Sequence, residues 1–301
     1  MTDILQLTHI SKSFGSASII KDLSFHVPAH SIFGFIGPNG AGKTTTMKMI
    51  LGLLKADSGE ILVNGEKVSY GQNRTNSYIG YLPDVPEFYD FMTPSEYLAM
   101  CGQITGMHAD EIRSRSTQLL SLVGLDQADK RIQGFSRGMK QRLGIAQALL
   151  NSPRLLICDE PTSALDPIGR KEILDILCTV KDHTTVLFST HILSDVERIC
   201  DHIVFLHKGT AALSGTLEEL KNLRHGDSIE IEFIHEKAAD LFADLYRGGT
   251  KSGHTKLLYT KKTEQDMLEI MQLLSQNQIT IRRMERLEPT LEDLFMEAAG
   301  L

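Results

Sequence analysis

Ser31 to Thr45 read SIFGFIGPNGAGKTT. The first seven residues, Ser31 to Gly37, form an apolar run of strand length without alternation, the pattern of a strand buried on both faces. The run passes directly into a loop of spacing G-x-x-x-x-G-K-[ST], and the stretch from Lys43 to about Leu54 has helical periodicity. Strand, glycine loop and helix in this order make a phosphate cradle. Gly37, Gly40 and Gly42, with Pro38, Asn39 and Ala41 between them, let backbone amides converge on phosphate oxygens without side-chain obstruction. The helix N-terminus behind them adds partial positive charge. Lys43 has the reach to meet the β- and γ-phosphates of a nucleotide, Thr44 has a hydroxyl for Mg²⁺, and Thr45 completes the motif.

A loop of this kind needs a metal carboxylate at the end of a neighbouring strand. RLLICDE, Arg154 to Glu160, supplies an apolar run that ends in two acids. Alone, such a pair reads equally well as a solvated strand end. Beside the glycine loop it points to Asp159 holding Mg²⁺ and Glu160 orienting and polarising the attacking water. TTVLFST, Thr184 to Thr190, is another buried strand, and His191 follows it. Side chains at the carboxyl ends of parallel strands face the ligand crevice, so His191 is placed to meet the γ-phosphate or the water.

Outward from these motifs, Ile4 to Ile10, Ile19 to Val27, Ser77 to Pro83 and His202 to Gly209 read as further strands. Asn64-Gly65 marks a hairpin within GEILVNGEKV. Asp84 to about Leu150 is mainly helical, as is Ile168 to Val180. Strand–helix alternation implies an α/β fold with a largely parallel sheet covered by helices. A second phosphate-seeking helix end stands in GFSRGMKQRLGIAQALL, Gly134 to Leu150. Ser136 sits in N-cap position there, and Met139, Leu143, Ala146 and Leu150 share one face. One chain thus carries two such ends, about a hundred residues apart.

The chain has 301 residues, enough for two domains. A polar stretch, LKNLRHGD (Leu220 to Asp227), reads as a linker between residues 1–220, whose helical part spans about 84–150, and a small α+β unit over 221–301. In that unit SIEIEFI, KLLYT and TIRRM are strands, and EKAADLFADLY, TEQDMLEIMQLLSQ and TLEDLFMEAA are helices. A net charge of -7 argues against a nucleic-acid partner, which needs a basic surface. The four cysteines are scattered without metal-ligand spacing and read as small apolar fillers in a reducing compartment. The opening MTDILQLTHISKSFG lacks a signal-peptide pattern, and no apolar run reaches membrane-spanning length.

In order, these segments resemble the ATP-binding subunit of ATP-binding-cassette (ABC) transporters over roughly Leu5 to Gly215. The resemblance implies a P-loop NTPase cassette with a helical subdomain, ATP and Mg²⁺ as cofactors, and ATP hydrolysis coupled to transport. GPNGAGKTT matches Walker A and LLICDE matches Walker B. Ser163 to Asp166 matches the D-loop, which places Asp166 at the nucleotide. His191 matches the switch histidine, and Phe14 in SKSFG matches the aromatic position that stacks on adenine. The second helix end matches the signature loop. In this family two subunits pair head to tail, and each ATP lies between one chain's Walker A and the other's signature. Ser136 and the Gly138 amide would then bind the γ-phosphate held by the partner's Lys43.

Two positions depart from the commonest pattern. The signature, usually L-S-G-G-Q, reads Phe135-Ser136-Arg137-Gly138-Met139 here and resembles the Y-S-x-G-M-x-Q-R-L variant of bacterial exporter subunits. Asp84 stands where the Q-loop glutamine is usual, and its carboxylate is still suited to sense Mg²⁺ or water. The ending EPTLEDLFMEAAG is similar to that of ATPase subunits serving drug, antibiotic or polysaccharide exporters. The resemblance implies a permease on a separate chain, a homodimer or pairing with a related ATPase subunit, and a place at the cytoplasmic face of the membrane. A non-transport ABC ATPase acting on nucleic acid or the ribosome fits less well, since the chain has one cassette and no heptad array. A signalling GTPase would need a guanine-reading N/T-K-x-D segment, and FLHKGT and LLYTKKTEQD supply none that convinces.

Overall fold

The apolar run before the glycine loop is a strand, Ile32–Ile36, whose five residues are all buried. Burial on both faces of a sheet is the environment that a run without polar alternation requires. The structure is a computed structural model and describes residues 3–72, 74–126, 130–222, 228–260, 262–287 and 290–298. The chain divides into two units, Met1–Leu217 and Glu218–Leu301.

The first unit opens with β1 (Asp3–Phe14), β2 (Ala17–Pro28), β3 (Ile32–Ile36), α1 (Lys43–Ile50), β4 (Ser58–Val63), β5 (Glu66–Lys67) and β6 (Ile79–Leu82). Helices α2 (Pro94–Ile104), α3 (Ala109–Leu122) and α4 (Arg137–Ala148) come next. Then follow β7 (Leu155–Asp159), α5 (Pro167–Val180), β8 (Thr185–Thr190), α6 (Leu193–Ile199), β9 (His202–His207) and β10 (Thr210–Thr216). Strands β2-β1-β4-β5 make an antiparallel sheet. The larger sheet has the order β10-β9-β3-β8-β7-β6, parallel throughout except for β10 at one edge. One core fastens the two sheets and α1 together, with Leu5, Ile20, Phe35, Met47, Leu187 and Val204 among its members.

Register positions the site. Ile36 pairs with Thr190, Asp159 with Ser189 and Leu82 with Cys158, so β3, β8, β7 and β6 end at one edge of the sheet. The loops after a parallel sheet's carboxyl ends form its ligand crevice.

Four expectations change in detail. Helix α1 stops at Ile50 rather than near Leu54, because Gly52 N donates to Met49 O (3.0 Å) and Leu53 N to Lys48 O (2.9 Å) in a Schellman closure. The strand expected from Ser77 begins at Ile79, after one 3₁₀ turn over Thr75–Tyr78. The helical part starts at Pro94 rather than Asp84. Thr93 accepts from Glu96 N (3.3 Å) while the Glu96 carboxylate accepts from Thr93 N (2.8 Å), a capping box that sets this start. Of the cysteines, Cys158 and Cys200 are buried as expected of fillers, but Cys101 is half-buried and Cys178 is exposed on α5.

After α7 (Leu217–Asn222) the second unit contains β11 (Ser228–Phe233), α8 (Glu236–Leu245), β12 (Thr250–Lys251), β13 (Lys256–Tyr259), α9 (Glu264–Gln276), β14 (Ile281–Leu287) and α10 (Leu291–Ala298). Its antiparallel sheet has the order β12-β13-β11-β14. Alternation in SIEIEF buries Ile229, Ile231 and Phe233 against Phe242 of α8, Tyr259 of β13 and Ile270 of α9. Of the expected linker, Leu220 to Asn222 belong to α7, and Leu223 to Asp227 lie outside the described residues.

Candidate nucleotide site

Between β3 and α1 the backbone turns through Gly42 at φ 108, and a Cβ there would stand 2.4 Å from Ile20 Cδ1. Only glycine fits both demands. Gly42 is also the N-cap of α1, whose first turn carries no acidic residue and no side-chain cap among the described residues. The amides at this end are therefore free for an anion. Lys43 is 6% exposed. Its Nζ donates to Gly37 O (2.7 Å) and Pro38 O (3.4 Å) and lies 3.1 Å from Glu160 Oε1. The Thr44 hydroxyl donates to Asp159 Oδ2 at 2.8 Å.

Asp159 and Glu160 are neighbours in sequence but aim in different directions. Glu160 has φ 49, a left-handed backbone that costs a β-carbon residue about 1 kcal/mol and swings its side chain off the strand direction. Asp159 Oδ1 accepts from Ser189 Oγ (2.6 Å), which in turn accepts from Glu160 N (3.0 Å). Glu160 Oε2 pairs with His191 Nδ1 at 2.8 Å. The carboxylate thus bridges Lys43 and His191. Ser189 was not singled out from the sequence. The available signal is its place as the polar residue near the end of β8, in register with Asp159.

A cleft of about 420 Å³ is lined by Phe14, Ile19, Pro38, Asn39, Gly40, Gly42, Lys43, Thr44, Thr45, Asp84, Asp159 and Glu160. Gly37 lies behind it, contributing its carbonyl to Lys43, and Ala41 is buried. Phe14 is 51% exposed, with Lys12 Nζ 5.4 Å from its ring centroid. Burial pushes the Asp84 carboxyl above its ordinary range. Arg137 pulls it down, and the charges of Asp159 and Glu160 push it up again. Burial, helped by Asp159, raises the nearby Tyr81 hydroxyl to about 12.

The structure does not bring the remaining expected residues into this cleft. His191 adjoins it through Glu160. Ser136 caps α4, its hydroxyl accepting from Met139 N at 3.2 Å, and is exposed. At Gly138 a Cβ would meet only Leu165 Cδ2, at 3.9 Å. Asp166 caps α5, accepting from Gly169 N at 2.8 Å. The turn before it is tied to α6, where Asp195 accepts from Thr162 Oγ1 (2.7 Å) and from Arg170 Nη2 (2.7 Å).

Sequence and fold comparisons agree with this geometry. Residues 20–163 match the family described as ABC transporter, and residues 215–299 match ATP-binding protein DrrA1-3-like, C-terminal domain. The chain is 38% identical over 304 residues to the uncharacterized ABC transporter ATP-binding protein YxlF of Bacillus subtilis (strain 168), covering 98% of this chain and 99% of the relative. It is 34% identical over 307 residues to the bacitracin transport ATP-binding protein BcrA of Bacillus licheniformis, covering 100% and 98%. A solved ATP-binding subunit of an ABC transporter superposes with TM-score 0.66 at 33% identity, covering 73% of this chain and 92% of that one. The cbiO1 structure from Clostridium perfringens, part of the ABC transporter complex cbiONQ, gives 0.68 at 26% identity, covering 73% and 91%. A P-loop ATPase cassette followed by a smaller accessory domain is thus the class that fold and site define. The chain belongs to the ATP-binding proteins of ABC transporters.

Proposed function

We propose that this chain hydrolyses Mg-ATP at a site completed by a second copy of itself, and that the cycle drives export through a permease on a separate chain. The observation that carries this reading is the convergence of Lys43, Thr44, Asp159, Glu160 and His191 around the uncapped end of α1. Phosphates are held by the loop amides and Lys43, and Phe14 stacks on the base. Thr44 and Asp159 fit Mg²⁺. Both offer the hard oxygens that Mg²⁺ takes, and they stand 2.8 Å apart. Bound there, the ion would offset phosphate charge. Glu160 aligns a water for attack on the γ-phosphorus and takes its proton as the bond to the bridging oxygen breaks and ADP leaves. His191 holds Glu160 in place for that step.

The dimer reading comes from the second helix end. One helix terminus supplies about half a unit charge, too little to match a triphosphate. Ser136 and Gly138 face outward from this chain, where a second copy's γ-phosphate would meet them. Asp166, exposed just after the turn that follows Glu160, would meet the partner's side of the nucleotide in that arrangement. Met1–Leu217 would make the cassette, with the helices from Pro94 to Ala148 as its helical subdomain, and Glu218–Leu301 the accessory domain. Val85, Tyr89 and Phe91, 63%, 54% and 63% exposed beside Asp84, offer the permease an apolar seat. No helix among the described residues is long and apolar enough to cross a membrane, consistent with work done from its cytoplasmic face through that seat. Export follows the names of relatives, a bacitracin transport protein and a linearmycin resistance protein.

Lys43→Ala tests the site. It should weaken binding of a fluorescent ATP by about 100-fold or more, because it removes a buried cation from the phosphates. Undiminished affinity would overturn the assignment.

A further inference from the structure

The nucleotide cleft lies at the carboxyl ends of the larger sheet, and a second recess lies at the opposite end. Strands β7 and β8 run parallel and begin at Leu155 and Thr185, so residues 152–154 and 181–184 meet there. A recess of about 490 Å³ opens at this end between α3 and the end of α5. That volume falls in the range of roughly 300–1,000 Å³ usual for small-molecule sites. Leu119, Leu122, Leu149, Pro153 and Val180 give it apolar walls, and the exposed Thr179 and His183 stand at its rim. One permanently charged side chain lines it, Arg115. Its Nη2 donates to Leu149 O at 3.0 Å and so closes the C-terminal end of α4. Its Nε is sealed from solvent and has no hydrogen-bond partner among the described residues. No acid among them pairs with the guanidinium, and burial draws its pKa below the usual arginine value with no charge to offset it. A half-buried cation with one neutral partner is a cost to the fold that a bound anion would relieve.

We propose that this recess is a binding site for a monocarboxylate carrying an aliphatic chain, a fatty acid of medium length. The carboxylate meets the guanidinium, whose planar fork matches it, and draws its unpartnered N–H edge away from the wall. The chain lies along Leu119, Leu122 and Val180. The surroundings choose among anions. Phosphate or sulfate would give up hydration to leucine and proline side chains in return for one cation. A carboxylate on an alkyl chain gains from the cation and from the walls. The recess shares no lining residue with the nucleotide cleft, so the proposal stands apart from the ATP reading.

Calorimetric titration of the full chain with sodium octanoate tests this, with octanol as the uncharged match. Octanoate should bind saturably and about 10-fold or more tightly than octanol. From hexanoate to decanoate the affinity should rise by about 10-fold or more, as added methylenes leave water. Saturating Mg-AMP-PNP should leave the octanoate affinity within about 2-fold of its value without nucleotide, which separates the recess from the Lys43 cradle. Arg115→Gln keeps a donor for Leu149 O but no charge. It should weaken octanoate by about 10-fold or more and leave octanol within about 2-fold. Because Arg115 also closes α4, a second variant works at the exposed rim. Thr179→Phe narrows the mouth and should weaken octanoate and octanol alike, by about 5-fold or more. Absence of octanoate binding, equal affinity for octanoate and octanol, or competition by AMP-PNP would overturn the proposal. So would an octanoate affinity unchanged in either variant.

Discussion

The N-terminal ends of α1 and α4 both present backbone amides to an anion, yet they are finished in opposite ways. At α1 the cap is a glycine with nothing to offer, and the chain supplies the rest from elsewhere: a buried lysine, a hydroxyl on Asp159, and Glu160 bracketed by Lys43 and His191. At α4 the cap is a serine, the flanking residues are Arg137 and Lys140, and the surface around Ser136 and Gly138 is open. The first end is furnished with side chains by its own chain. The second is half of a site, and in the proposed dimer its other half is a second copy.

The comparison breaks first at Ser136. Ser136→Arg should leave ATP binding, measured by calorimetry, within about 3-fold of normal while turnover falls by on the order of 100-fold or more. Lost binding would assign α4 to the same chain's site. Next in size, His191→Ala removes the 2.8 Å partner of Glu160. Turnover should fall by about 10- to 100-fold in a phosphate-release assay with Kd unchanged. Equal turnover would leave that bond without a catalytic role. The smallest effect sharpens the comparison. Ser136→Ala and Thr93→Ala each remove an N-cap, and each should cost about 1 kcal/mol in denaturant unfolding. Only the first should also slow turnover, since Thr93 caps α2 and belongs to neither phosphate-seeking helix end. A matching loss of turnover in Thr93→Ala would mean that any loosened helix in this region disables the enzyme.

What the sequence made legible was local. The strand, loop and helix around Lys43 are contiguous, and their chemistry follows from residue spacing. The acids after β7 and the histidine after β8 were legible because apolar runs announce buried strands, and polar residues at their ends stand out. Strand β10 was missed because TAALSGT is polar, half-exposed and at a sheet edge, where no apolar run is needed. The first two strands were read short because the ends that meet at their turn, Ser13, Phe14, Ala17 and Ser18, are exposed and carry no buried apolar alternation. Non-local pairings were invisible. Nothing in the spacing announces that Ser189 bonds Asp159, that Glu160 neutralises Lys43, or that Arg137 reaches Asp84. The two departures from the commonest family pattern, Asp84 and Arg137, are charge partners, a relation that needs the fold to be seen.

The central claim is that the α4 end completes a site on a second copy. Its most direct test is the solution mass of Glu160→Gln, by light scattering after gel filtration, with and without Mg-ATP. The substitution removes the carboxylate that aligns water but keeps both helix ends. The account predicts the mass of one 33.5 kDa chain alone and twice that mass with Mg-ATP. An ATP-loaded protein that stays at the mass of one chain would contradict it.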